Sequence, residues 1–423
     1  MKFTLSILSF LIISSSAFSA DPTTLQDILN QEVDLIKLLN LPTTATSEHA
    51  DEIRAQLTAL RYRAAEIAEA NAQNKTRSLT QISPQAFSAE QVVTLNPAFS
   101  KVEFQSGDIL VVRGSSTIST IIANITDQPS QFSHSFIIYV NPADNVTYAV
   151  EALMGQQLHA HPLSQALTEG LSRMNLYRYE SPDIAASAGA MAYNRATTQN
   201  IPYANSLILD PTFCKETCAE DVADNYFLAT KNLSSPVKLP TFMSTLGAKY
   251  PNLVAALGLP HGTVLPVEWP IDFETSSGMT LVAESIDPLA SFGSRAKDAA
   301  AGVLFGWIES GSVGQDFTKL IAMAKQQLAA KSAAQPTSAS APDSIMSTVN
   351  LFATKANDIM NALTLKIMAA NQAKIKATGE NMSQADISAY VESIRFQPFV
   401  EKLLRANGLE PKAMSCQELI GGR

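Results

Sequence analysis

The first part of the chain carries two stripes of apolar side chains that recur every three to four residues, the spacing of one face of an α-helix. The first stripe consists of Leu25, Ile28, Leu29, Val33, Ile36 and Leu39, and the second of Ile53, Leu57, Leu60, Ala64 and Ile67. Pro42 separates the two stripes, so the pattern predicts an antiparallel helical hairpin. Each stripe is shorter than three heptads, which favours a cover for a central domain over a coiled coil that binds a partner.

From about Gln105 the pattern changes to short apolar runs bounded by turn residues, which is typical of β-strands. Strands are predicted at residues 107–112, 135–140, 146–150, 157–160, 174–179 and 278–283. Residues 141–145 supply a hairpin connection, and a helix is predicted from Asp183 to about Thr198. Strands and helices in this order predict an α+β fold around an antiparallel sheet.

The last third of the chain returns to helical spacing and is rich in alanine. Its apolar positions are Phe317, Leu320, Ile321, Ala324 and Leu328, followed by Val349, Phe352, Ile359, Leu363 and Ile367. Between the two sets, residues 331–343 are rich in Ala, Ser, Pro and Thr, a composition that predicts a flexible linker. Another helix is predicted to begin at Ser383, because Asp386 follows it at capping-box distance.

These changes of pattern divide the chain into a leader and five further parts. The parts are residues 1–20, a leader; 21–98, an N-terminal helical segment; 99–285, a central domain; 286–330, a helical extension; 331–344, a flexible linker; and 345–423, a C-terminal helical segment. Control of access to a site in the central domain and binding of a partner protein are both open roles for the helical parts.

The leader has the organisation of a secretory signal peptide. Lys2 precedes an apolar run from Phe3 to Ile13, and Ala17 and Ser19 place small residues at the positions that define a cleavage site. The apolar run is too short to span a bilayer, which takes about 20 residues. We therefore expect an exported protein, periplasmic or extracellular, with no integral membrane segment.

Composition and charge narrow the class of partner. Of the 423 residues, 46% are hydrophobic and 16% are charged, which is enough for a sizeable core. The formal net charge is −9 at pH 7, so the chain offers no overall positive field for a phosphate backbone. Nucleic acid is therefore not an expected partner.

Three polar residues of the central domain carry the chemistry. His134 lies at the start of a predicted strand, Glu151 ends the next one, and Cys218 opens a helical stretch that continues to Phe227. A thiolate nucleophile, an imidazole base and a group that orients the imidazole are the components of a cysteine hydrolase. A helix N-terminus favours the thiolate, and a hairpin places side chains of neighbouring strands side by side. The set predicts attack on an amide or an ester.

The order of these motifs resembles that of the circularly permuted papain-like amidases, the YiiX/YaeF-type branch of the NlpC superfamily. The similar segments are Gly107-Asp108-Ile109-Leu110, Phe132-Ser133-His134-Ser135, Val150-Glu151-Ala152 and Cys218-Ala219-Glu220, and they span roughly residues 105–284. In that family the chain runs from a Gly-Asp strand through a histidine and an acidic residue to a cysteine at a helix start. The resemblance implies a permuted papain-like, NlpC-type core of antiparallel sheet and helices.

The resemblance also implies roles for individual residues. Cys218 would be the nucleophile, His134 the base and Glu151 the orienting group, with no cofactor. Pro202-Tyr203 is similar to the family segment that precedes the nucleophile, which implies that Tyr203 lies at the oxyanion site or touches the substrate. The implied activity is that of an exported cysteine amidase or peptidase that cleaves a peptide-like or peptidoglycan-derived substrate through a thioester on Cys218.

The chain departs from the family pattern at two places. Ala219 and Asp221 flank Glu220 where the family usually has a serine and an apolar residue, and Ala204 follows the tyrosine where an aspartate is usual. Neither change removes the nucleophile, but both bear on substrate preference.

Two other functions remain open. Lecithin-retinol acyltransferase relatives share the histidine-before-cysteine order, so deacylation of a lipid amide or acyl transfer is one alternative, and an acyl acceptor other than water would identify it. The second alternative is a catalytically silent binding or scaffold module whose helical flanks carry the function. An unreactive Cys218 would support that reading.

The remaining cysteines and two histidines have their own interpretations. The chain has three cysteines, and an odd number in an oxidising compartment leaves one thiol unpaired. We hypothesise a Cys214–Cys416 disulfide that ties down the C-terminal tail; a Cys214–Cys218 pair would instead give an inactive or redox-gated enzyme. His159 and His161 share one strand face, but two ligands without a third predict no metal site.

Overall fold

The computed structural model describes residues 22–41, 48–76, 92–94, 103–128, 130–167, 170–204, 214–256, 260–310, 345–394 and 398–406. Its helices are α1 (Leu25–Leu39), α2 (Glu48–Thr76), α3 (Thr117–Ile125), α4 (Leu163–Ala166), α5 (Pro182–Thr198), α6 (Cys218–Thr230), α7 (Pro251–Ala256), α8 (Pro288–Glu309), α9 (Ile345–Thr378), α10 (Gln384–Ile394) and α11 (Pro398–Ala406), with a 3-10 helix at Pro270–Thr275. Its strands are β1 (Val92–Thr94), β2 (Ile109–Gly114), β3 (His134–Val140), β4 (Thr147–Glu151), β5 (His159–Pro162), β6 (Leu171–Tyr179), β7 (Ser244–Leu246), β8 (Leu265–Val267) and β9 (Met279–Ile286). The signal peptide, the helix predicted at residues 317–328, the linker and Cys416 lie outside the described residues.

Seven strands form one antiparallel sheet in the order β1-β9-β6-β2-β3-β4-β5, and β7 and β8 form a separate pair. Alternate residues of β2 enter different hydrophobic clusters: Ile109 and Val111 join one, and Leu110 and Val112 join the other. Both faces of the sheet are therefore covered, which explains why this strand reads as an unbroken apolar run. The predicted α+β class with an antiparallel sheet is confirmed.

The strands begin near their predicted positions, and the differences have local causes. β2 begins at Ile109 because Gly107 lies in a turn with φ of +87°, a conformation that favours glycine. A Cβ atom at Gly107 would also collide with the backbone of Ala185. β5 begins at His159, later than predicted, because Gln157 forms an isolated bridge outside the strand.

The N-terminal helices α1 and α2 occupy the positions that the apolar stripes predict, and they pack against each other. α1 begins with a capping box: the Thr24 hydroxyl accepts a hydrogen bond from the Asp27 N–H at 3.1 Å, and the Asp27 carboxylate accepts one from the Thr24 N–H at 3.2 Å. A buried network of ion pairs then joins the hairpin to the sheet. Its members are Glu32, Arg61, Arg173, Glu274 and Glu284.

Helix α3, between β2 and β3, was not predicted. Its sequence contains Ile118, Ile121 and Ile122, β-branched residues that are less favourable in helices than in strands. Ser116 stabilises the helix start by accepting a hydrogen bond from the Ser119 N–H at 3.1 Å. α3 also packs against α8 and α9. The local sequence does not reveal these contacts.

The C-terminal helices share the core of the central domain. α8 lies within the predicted helical extension, packs against α2, α3, α9 and α10, and buries Phe305 and Ile308 completely. α9 places Phe352 in the same hydrophobic cluster as residues of the large sheet. α10 begins with the predicted capping box, in which Ser383 Oγ accepts from the Asp386 N–H at 3.1 Å and the Asp386 carboxylate accepts from the Ser383 N–H at 2.8 Å.

Within the described part of the chain, no helix has the length and apolar character needed to cross a bilayer. α9 is 34 residues long, but its buried apolar positions alternate with exposed polar ones such as Asn361 and Lys366.

Candidate active site

The fold brings His134, Glu151 and Cys218 together from three different elements. His134 is the first residue of β3, Glu151 is the last residue of β4, and Cys218 is the first residue of α6. The register of β3 and β4 places His134 and Glu151 diagonally on the same face of the sheet, within reach of long side chains. α6 packs on β3, where the Ser135 hydroxyl donates a hydrogen bond to the Cys218 carbonyl oxygen at 3.1 Å. This contact fixes the start of α6 beside His134.

The helix start that carries Cys218 is stabilised by a second capping box. The Thr217 hydroxyl accepts a hydrogen bond from the Glu220 N–H at 3.3 Å, and the Glu220 carboxylate accepts one from the Thr217 N–H at 2.7 Å. Cys218 therefore occupies the first helical position, where N–H groups without intrahelical acceptors and the helix dipole favour negative charge. The helix that the sequence predicts from Cys218 is confirmed.

Removing the Thr217 cap is expected to lower the free energy of unfolding by about 1 kcal/mol, because the first turn of α6 loses a hydrogen-bond acceptor. Ser181 offers a matched control, since it is the N-cap of α5 but its side chain makes no capping hydrogen bond. Urea denaturation of Thr217→Ala and Ser181→Ala should show a loss only in the first variant. Equal losses in the two variants would contradict this account of the helix start.

His134 lies between the carboxylate and the sulfur. Its Nε2 contacts Oε2 of Glu151, and its ring also forms a hydrogen bond with Cys218. Because Nε2 faces the carboxylate, Nδ1 is the ring nitrogen that remains for the sulfur. Burial lowers the pKa of His134, but negative charge on Cys218 and hydrogen bonds to Cys218 and Glu151 outweigh burial and raise the pKa to about 10. At neutral pH the His134 ring is therefore an imidazolium that places a positive charge beside the sulfur of Cys218.

The buried Glu151 carboxylate is held by two histidines. Besides the contact with His134, its Oε1 lies 2.5 Å from Nε2 of His161. Burial raises the pKa of Glu151, but the hydrogen bonds from His134 and His161 outweigh burial and hold it well below the usual range. Glu151 is therefore an anion whose two oxygens are both occupied, which suits a group that orients a histidine ring.

The sequence did not predict the contact between Glu151 and His161. This contact brings Glu151 into the same cluster as the two histidines of β5. Glu151 lies directly opposite His159 in the pairing of β4 with β5. One potential ligand atom from each of Glu151, His159 and His161 lies within 4.8 Å of the others. Glu151 therefore adds a third potential ligand beside the two histidines, one that the sequence pattern did not reveal.

A cleft beside Cys218 opens to solvent, contains about 280 Å³ of space when the open solvent in its mouth is included, and is lined by Tyr203, Glu268 and Trp269 among others. Burial, with negative charge on Cys218, raises the pKa of Tyr203 well above its usual value, so its hydroxyl keeps its proton and can donate. Burial and the nearby Glu220 raise the pKa of Glu268 in the same direction. Tyr203 and Cys218 thus line the same cleft, whereas no sequence motif singled out Glu268 or Trp269.

Cys214 and Cys218 are not joined to each other within the described residues; Cys214 is exposed and Cys218 is half-buried. The structure therefore gives no sign of a Cys214–Cys218 disulfide. Cys416 lies outside the described residues, so its pairing with Cys214 stays a prediction.

Comparison with known proteins gives one weak structural likeness. No protein-family model matches the chain, and no curated protein matches it. A similar solved structure is the crystal structure of metalloprotein yiiX from Escherichia coli O157:H7, DUF1105, with 21% sequence identity and a TM-score of 0.34. The match covers 43% of this chain and 98% of that chain.

Proposed function

We propose that this protein is an exported cysteine hydrolase that cleaves an amide bond and is built on a permuted papain-like core. The observation that carries the proposal is the position of His134, in contact with Glu151 on one side and with Cys218 on the other. Nucleophile, base and orienting group in this order are what thiol hydrolysis requires. Cys218 also borders the cleft, so a substrate carbonyl has a route to the sulfur.

The reaction proceeds in two half-reactions. The Cys218 thiolate attacks the substrate carbonyl carbon, and His134 gives its proton to the leaving amine as the C–N bond breaks. This step leaves a thioester on Cys218. Water then attacks the thioester while His134 accepts a proton from it, and the carboxylic acid departs as the thiolate is restored. Glu151 holds the imidazole ring in position throughout.

The negative charge that develops on the substrate oxygen needs hydrogen-bond donors near the sulfur. The N–H groups in the first turn of α6 point outward from the helix start that carries Cys218. The Tyr203 hydroxyl borders the same cleft as Cys218 and remains protonated. We assign these groups to the oxyanion site.

The substrate class follows from the cleft and from the motifs. Tyr203 and Trp269 give the cleft aromatic walls, and Glu268 adds a carboxyl group. Such a lining suits a substrate with both apolar and hydrogen-bonding parts. A peptide-like or peptidoglycan-derived amide has these properties and is available to a protein with the predicted signal peptide.

The proposal is tested by product analysis on three classes of substrate: short peptide amides, peptidoglycan fragments and lipid amides. We expect cleavage with water as acyl acceptor, and a loss of at least about 1,000-fold in Cys218→Ala because the nucleophile is removed. Cys214→Ala is the matched control and should retain activity. An acyl group delivered to an acceptor other than water would favour the acyltransferase alternative, and full activity in Cys218→Ala would overturn the proposal.

A further inference from the structure

Two imidazoles and a carboxylate converge at the outer edge of the large sheet, on the side of Glu151 away from His134. β5 is the last strand of the sheet, and His159 and His161 project from the same face of it. Their rings stack with centroids 5.0 Å apart and an angle of 26° between the planes. Glu151 enters from the neighbouring strand, directly opposite His159.

The donor set and its surroundings fit a transition-metal ion. One nitrogen from each histidine ring and one carboxylate oxygen lie within 4.8 Å of one another. Imidazole nitrogen with carboxylate oxygen is a common ligand set for zinc and its neighbours in the first transition row. Glu151 is buried, whereas both histidines are partly exposed, so solvent reaches the open side of the cluster. Three protein ligands with an open position describe a site that also holds a water molecule.

The orientation of His159 is already suited to metal binding. Its Nδ1 lies 3.1 Å from the backbone carbonyl oxygen of Gln157, so this nitrogen is the donor to the backbone and Nε2 is the nitrogen left for a ligand. Histidines that bind metals usually donate their other ring N–H to a carbonyl or carboxylate in this manner, which fixes the tautomer and the ring orientation.

We propose that Glu151, His159 and His161 form a binding site for a divalent transition-metal ion such as Zn²⁺. The ion takes the place of the hydrogen between Glu151 and His161, whose ligand atoms are 2.5 Å apart. Ligand atoms on a tetrahedral zinc are about 3.3 Å apart, so the two side chains must separate by a fraction of an ångström. The contact of His134 with the other carboxylate oxygen does not have to break.

This site shares one residue with the proposed catalytic centre, but its existence does not depend on that centre. The proposal needs only the convergence of the three side chains and holds whether or not Cys218 is a nucleophile. Metal binding is therefore measured directly, without an activity assay.

Isothermal titration calorimetry of the chelator-treated protein with Zn²⁺ is the first test. We expect one ion per chain with a dissociation constant in the micromolar range or tighter, and no binding of Mg²⁺, which prefers oxygen ligands. His159→Ala and His161→Ala should each weaken Zn²⁺ binding by at least about 100-fold, since even partners of a ligand contribute about 10–100-fold. His49→Ala, which removes an exposed histidine of α2, should leave the affinity unchanged.

Anomalous diffraction at the zinc edge from a crystal soaked in Zn²⁺ locates the ion independently of the variants. The proposal predicts a peak between Glu151, His159 and His161. Absence of tight binding, unchanged affinity in both histidine variants, or a peak only at other residues would overturn it.

Discussion

Alkylation of Cys218 by iodoacetamide at pH 6 is expected to slow by about 30-fold or more when His134 is replaced by alanine. In the wild-type protein the pKa of His134 is raised to about 10, so its ring is an imidazolium at pH 6 and places a positive charge beside the sulfur. An ordinary thiol, with a pKa near 8.5, is only about 0.3% thiolate at that pH. A thiolate in an ion pair is intrinsically less nucleophilic, which offsets part of the difference.

The control for this prediction is His49→Ala, in which an exposed histidine on α2 is removed and the site is untouched. Its labelling rate at Cys218 should equal that of the wild-type protein, with the labelled peptide identified by mass spectrometry. An unchanged rate in His134→Ala would mean that the imidazole does not activate the sulfur.

Replacing Arg61 by alanine is expected to lower the free energy of unfolding by about 3–5 kcal/mol. Arg61 is 1% exposed; its Nε lies 3.3 Å from Oε2 of Glu32, and its NH2 group contacts Glu274. Both carboxylates are buried as well, so the variant removes the ion-pair partner of Glu274 and leaves Glu32 with Arg173 alone. Breaking a buried pair in this way costs far more than the pair itself contributes.

Arg63→Ala is the matched control on the same helix. Arg63 pairs with Glu66 at 3.2 Å, but its side chain is 49% exposed, and exposed pairs contribute about 0–1 kcal/mol. Chemical denaturation should therefore show a much larger loss of unfolding free energy in Arg61→Ala than in Arg63→Ala. A loss below about 1 kcal/mol in Arg61→Ala would show that the network does not hold the hairpin to the sheet.

The elements predicted best are those whose burial follows a simple period. The stripe from Leu25 to Leu39 matches α1 because one face of this helix packs on the rest of the protein. Glu32 lies on this same face, four residues after Ile28 and four before Ile36, and it is fully buried although it is charged. Its partners Arg61 and Arg173 are distant in sequence, so only the tertiary structure shows why a charged residue occupies a core position.

In the candidate site, too, the local sequence predicts some features and only the tertiary structure shows the others. The order and local context of His134, Glu151 and Cys218 could be read from the sequence because each residue sits at the end of an element with a clear pattern. The contact between Glu151 and His161 could not be predicted, because the pairing of β4 with β5 is not encoded in the local sequence. The sequence did not predict a role for Glu268 and Trp269, because they follow the short strand β8, which has no alternation of apolar and polar residues.

The central claim is that Cys218 becomes covalently acylated during turnover, and intact-mass spectrometry after rapid acid quenching tests it most directly. With a cleaved substrate from the three classes, the protein should gain the mass of the acyl portion on the peptide that contains Cys218. Cys218→Ala should show neither the adduct nor turnover. Turnover without an adduct that continues in Cys218→Ala, or an adduct on another residue, would contradict the account.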